Sequence, residues 1–90
     1  MTVEITLNGL AMGRREAAHA HLKQQFAFPE SYGCNLDALY DLLTAVCTPT
    51  QVCLREKDAM LRSLGSYGEG ILQCLLDASE SNPNLQLHIF

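Results

Sequence analysis

Between Asn35 and Val46 the chain reads Asn-Leu-Asp-Ala-Leu-Tyr-Asp-Leu-Leu-Thr-Ala-Val, with two carboxylates four residues apart and a phenol beside the second. At about 100° per residue, Leu36, Leu39, Leu42, Leu43 and Val46 form one apolar stripe. Asp37, Tyr40, Asp41 and Thr44 fall within about 100° of one another on the opposite side. Paired carboxylates can exchange protons with a substrate, or they can receive the cations of a partner, with the aromatic ring packing at the contact. Like charges at this spacing cost about 0.2–0.5 kcal/mol. Asp37 gains from the helix N-terminus, whereas Asp41 lies a turn too deep to share much of that benefit. No Lys or Arg occurs from Gln24 to Leu54, and none after Arg62, where Glu69, Asp77 and Glu80 stand. The plain reading is a solvated helix face; the sharper one is a docking strip for Arg or Lys groups from outside.

Enzymatic chemistry has less support. The two carboxylates project from a convex helix face, whereas catalytic acids and bases work in a pocket. His19 and His21, two apart on a helix, point in nearly opposite directions and cannot share a metal. His19 reads as a partly buried packing residue. No glycine-rich phosphate loop or nucleophile elbow is present, so no cofactor, metal or catalytic group is expected. Of the four cysteines, Cys47, Cys53 and Cys74 sit among apolar neighbours and read as small core residues. Cys34 follows a glycine in a loop and is expected to be exposed. Free thiols are expected in a reducing compartment.

The elements that would carry the strip follow from periodicity and breakers. Val3–Leu7 and Leu85–Ile89 alternate apolar and polar residues, as strands with one buried face do. Gln51–Leu54 is a third, more uniformly apolar strand. A first helix is predicted from about Arg14 to Phe26, with Ala18, Leu22 and Phe26 recurring and Pro29 ending it. A second runs from its N-cap Asn35 to about Val46. A short third spans Lys57 to Leu64 with Gly65 as stop. Ser66-Tyr67-Gly68-Glu69 has capping-box form and opens a fourth, through about Ser81, although its early glycines count against a helix. Crossovers of this length imply parallel pairing. Alternating strands are unusual in parallel sheets covered on both faces. The reading is therefore an α/β, two-layer fold: a three-stranded parallel sheet with about four helices packed on one face.

Ninety residues carrying a net charge of −4 fit one domain, residues 1–90. Folding at this size hides roughly 64% of the extended chain's surface, and 48% of the residues are hydrophobic, enough for one modest core. Six basic residues against ten acidic ones argue against nucleic acid as partner. No apolar run approaches the ~18 residues of a membrane span, and Met1-Thr2-Val3-Glu4 has no signal-peptide character. A cytoplasmic, monomeric chain is expected.

The segment Phe28-Pro29-Glu30-Ser31-Tyr32-Gly33-Cys34-Asn35-Leu36-Asp37-Ala38-Leu39-Tyr40-Asp41-Leu42-Leu43-Thr44 resembles the signature of the barstar family of intracellular ribonuclease inhibitors. Asn8-Gly9, His19, Leu72-Gln73 and the apolar last strand fit the same layout. The resemblance implies the fold just described and a non-enzymatic role: plugging the active site of a small basic ribonuclease. It implies that Asp41 occupies the place of an RNA phosphate, that Asp37 and Asp77 add charged contacts and that Thr44 lies at the rim. Tyr40 would then be an aromatic anchor where the family commonly has Trp, and Tyr32 an interface tyrosine. Asn35 belongs to the same matching stretch and completes the expected contact set. Ser31, Cys34, Ala45 and Val46 depart from the pattern, so the acids match better than the aromatic surround. The runner-up is an immunity or binding protein of this fold for another basic partner, such as an unrelated nuclease toxin or a regulatory protein.

Overall fold

The computed structural model describes residues 2–90. Its elements are β1 (Val3–Asn8), a 3₁₀ turn (Gly9–Ala11), α1 (Arg15–Phe26), α2 (Leu36–Thr44), β2 (Thr50–Arg55), α3 (Lys57–Leu64), α4 (Ser66–Ser81) and β3 (Leu85–Ile89). The strands lie in the order β1-β2-β3 and both pairs are parallel. The two-layer α/β arrangement expected from the sequence is the one observed.

Register explains the two faces. Ile5 pairs with Val52, which pairs with Leu87; Leu7 pairs with Leu54. These side chains enter the core with Leu22, Leu39, Leu43, Met60 and Ile71 from the helices. The alternate rows, Glu4–Gln51–Gln86 and Thr6–Cys53–His88, run along the other face. They are exposed or half-buried, because successive side chains in a strand point to opposite sides.

Three expectations are corrected. The Ser66 capping box does not form: α4 has no side-chain cap, and Ser66 is itself helical. Gly65 alone separates α3 from α4, at φ 59° and ψ −130°. Glycine reaches this positive φ without steric cost, so the chain reverses in one residue and leaves no room for a cap. Cys47 is exposed rather than core, because α2 ends at Thr44 and not near Val46, and the chain then swings outward to Pro49. Cys53 is only half-buried, on the outer row of β2. Cys74 is buried and Cys34 exposed, as expected; all four thiols are free.

The early glycines of α4 have a packing reason. A Cβ at Gly68 would lie 3.1 Å from the backbone oxygen of Met60 and from Leu64 Cβ, both on α3, and one at Gly70 would meet Leu36 Cδ1 at 2.9 Å. Among the described residues, no helix is long and apolar enough to cross a membrane.

Candidate functional site

The strip is built by a short helix fixed at both ends. Asn35 Oδ1 accepts the Ala38 amide at 2.7 Å, satisfying one of the donors a helix start leaves open. At the other end α2 has no basic residue in its last turn. The carbonyls there are met from across the fold: buried Asn82 donates its side-chain amide to Leu43 O at 3.0 Å and, just past the helix, to Val46 O at 2.9 Å. Leu39 and Leu43 are fully buried beneath. Asp37, Tyr40 and Asp41 are therefore presented outward on a helix clamped from below and at each terminus.

The electrostatics are one-sided. Among the described residues the one ion pair is Lys23–Glu30, at 3.1 Å. Asp37, Asp41 and Asp77 thus face solvent with no cation of the described residues in contact. Asp77 Oδ1 accepts a hydrogen bond from Gln73 Nε2 at 2.8 Å, one turn back on α4, which orients the carboxylate without neutralising it. Asp37, Tyr40 and Asp77 line a shallow groove of about 320 Å³ between α2 and α4, with Leu36 and Gly70 also on its walls. Asp41 lies outside this groove, one turn further along α2.

Tyr40 is 36% exposed, and its hydroxyl lies 3.1 Å from Ser81 Oγ at the end of α4. The ring is thereby held across the two helices. Thr44 is half-buried and donates its hydroxyl to Tyr40 O at 2.9 Å and Asp41 O at 3.1 Å, so it braces the last turn and offers an acceptor at the edge.

Tyr32 stands apart from the strip. It is 7% exposed, and its hydroxyl lies 2.6 Å from His19 Nδ1, while His19 Nε2 lies 2.6 Å from the Tyr67 hydroxyl. Burial lowers the His19 pKa and raises those of both tyrosines, with Arg15 opposing the rise at Tyr67. All three groups are held neutral. A neutral imidazole donates from one nitrogen and accepts at the other, so one uncharged chain joins α1, the Pro29–Asn35 segment and α4. His21 serves elsewhere: its Nε2 accepts the Asn8 amide at 2.9 Å.

The sequence reading missed Asn82, Ser81, Gln73 and Tyr67 as parts of this construction. In the sequence Tyr67 belongs to a capping-box pattern, and nothing local marks Asn82 as a partner of α2. The useful signal was weak: a phenol inside an acidic, glycine-rich helix start.

Nothing in the arrangement offers a metal cage; no group of three or more His, Cys, Asp or Glu side chains converges among the described residues. What it offers is a rigid, outward, uncompensated row of carboxylates with one aromatic ring among them. The barstar family model, described as "Barstar (barnase inhibitor)", matches residues 2–90. A Bacillus subtilis (strain 168) protein described as "Putative ribonuclease inhibitor YrdF" is 36% identical over 78 residues, 86% of each chain. With the motif, the parallel three-stranded architecture and these matches in agreement, the chain belongs to the barstar family.

Proposed function

We propose that this protein is a non-enzymatic inhibitor that binds a small basic ribonuclease one to one and closes its active site with the outer face of α2. The observation that carries the proposal is the row Asp37, Asp41 and Asp77, exposed and, among the described residues, without a cationic partner. An RNA-cleaving site must hold a phosphate, so it already supplies aligned cationic donors. A carboxylate placed there makes charge-assisted hydrogen bonds with those same donors.

In this reading Asp41 takes the phosphate position. Asp37 and Asp77 meet further cations across the α2–α4 groove, Tyr40 packs where the two surfaces exclude water, and Thr44 touches the rim. Asn35 and Tyr32 contribute through the segment before α2, whose backbone they hold rigid. Pre-setting that segment lowers the ordering cost of binding. The reading also fits a cytoplasmic chain with four free thiols.

The test is an RNA-cleavage assay with barnase and other small basic ribonucleases, titrated with the wild type, Asp41→Ala and Glu80→Ala. Expected is a stoichiometric end point for the wild type, a loss of affinity of about a hundredfold or more for Asp41→Ala, and little change for Glu80→Ala. Equal effects of the two substitutions would reduce the strip to ordinary solvated surface. Full activity of every enzyme in excess wild type would remove the ribonuclease.

A further inference from the structure

A second feature of the surface has the opposite sign. On the α1 side of the α2 N-terminus lies a cleft of about 600 Å³, bordered by Arg15, His19, Lys23, Cys34, Asn35 and Tyr67. The Arg15 guanidinium carbon stands 4.2 Å from the centre of the Tyr67 ring. Exposed arginines are usually mobile; this one rests on an aromatic plane whose hydroxyl is fixed to His19, itself fixed to Tyr32. Cation–π contact holds the group while consuming none of its N–H donors. No carboxylate of the described residues pairs with Arg15.

We propose that Arg15 is an anion-receiving subsite of the inhibitory surface, taking a carboxylate side chain that lies beside the cationic cleft of the partner nuclease. The proposal rests on the reading above and adds the feature that orients the complex. A wholly acidic face attracts basic proteins in general and in many orientations. One fixed cation next to it is satisfied only by a partner carrying an acid at the matching place, and it repels a partner carrying a base there.

The occupant is a protein carboxylate rather than a free anion because the cleft is not broadly positive. Glu16 lines it as well, and Lys23 is already paired with Glu30. A diffusing ion gains little in such a mixed field. An acid mounted on a docked protein and aimed at Arg15 meets up to five N–H donors in a fixed fork. The His19–Tyr32 link ties this platform to the segment that leads into α2, so the distance from Arg15 to the acidic strip is set by the fold.

Charge reversal separates this subsite from general electrostatics by the sign of the effect. Arg15→Glu and Arg62→Glu each lower the net charge of −4 by two. Arg62 is exposed on α3 and lines no part of the cleft. Kd for whichever of the tested ribonucleases the wild type inhibits is measured for both variants, for Arg15→Ala and for Asp41→Ala, with thermal melts to confirm folding. Expected are a rise of about tenfold for Arg15→Ala and more for Arg15→Glu, against an unchanged or smaller Kd for Arg62→Glu. Equal or tighter binding by Arg15→Glu, with Asp41→Ala still weakened, overturns the subsite alone. Failure of the wild type to bind any of the enzymes overturns the ribonuclease reading and the subsite together.

Discussion

The side-chain amide of Asn82 donates to the carbonyl of Leu43 over 3.0 Å, fastening the end of α4 to the end of α2. The same amide reaches Val46 O at 2.9 Å, and its oxygen accepts the Asn84 amide at 3.0 Å. The side chain therefore uses both its donor and its acceptor ends inside the fold, and the helix that carries the acidic row ends on it.

Asn82→Ala should destabilise the protein by about 1–3 kcal/mol, because it strands carbonyl groups that the fold shields from water. Urea unfolding monitored by far-UV circular dichroism checks this, with the midpoint falling and the slope unchanged. A loss below about 0.5 kcal/mol would mean that water replaces the amide without penalty.

Acid stability follows from His19. Burial holds its folded pKa below the ordinary 6.5, so below about pH 6.5 the unfolded chain binds a proton that the native state resists. Stability is complete above that pH and declines as pH falls toward the folded value. His21 shifts in the same direction, also by burial. Denaturation midpoints measured from pH 8 to pH 5 should decrease, and His19→Gln should flatten the profile. An unchanged slope in that variant would assign the acid sensitivity to other groups.

Thiol labelling should be ordered by position. Cys34 and Cys47 are exposed, Cys53 is half-buried and Cys74 is buried. Burial, with the Asp77 and Asp37 charges adding to it, pushes the Cys74 thiol up to about 11, which suppresses the reactive thiolate. Timed alkylation of the native protein with peptide mass mapping should modify Cys34 and Cys47 first and Cys74 last. Early modification of Cys74 would show that α4 opens readily beside α2.

Association with the nuclease should be fast at low salt and slow steeply as salt rises. The carboxylates of α2 and Asp77 are exposed and, among the described residues, form no ion pair, so they act on a basic partner from a distance. Stopped-flow rates should fall about tenfold or more between ~0.01 M and ~0.5 M salt, over which the screening length shrinks from about 30 Å to a few ångströms. A rate indifferent to salt would remove steering from the account.

Local regularities were readable in the sequence. α3 occupies Lys57–Leu64, β3 occupies Leu85–Ile89, and the apolar and acidic faces of α2 separate as its spacing implied. Breakers and periodicity act within a few residues, so the chain states them openly. The missed features depend on residues far apart. Ser66 looked like a cap because nothing nearby reveals that α3 and α4 share a one-residue turn. Cys47 looked buried because its neighbours are apolar, yet the loop leaves the core. Tyr67 meets His19 across 48 positions and Tyr40 meets Ser81 across 41, and neither pairing has a local signature. The acidic row was legible residue by residue; its rigidity was not.

The 39 positions between Leu43 and Asn82 also impose a timetable on synthesis. α2 is translated before the amide that secures its last turn, and the central strand waits equally for β3. The acids of α2 are thus made before the frame that aims them, and the row is held rigid only when the late segment has arrived and locked.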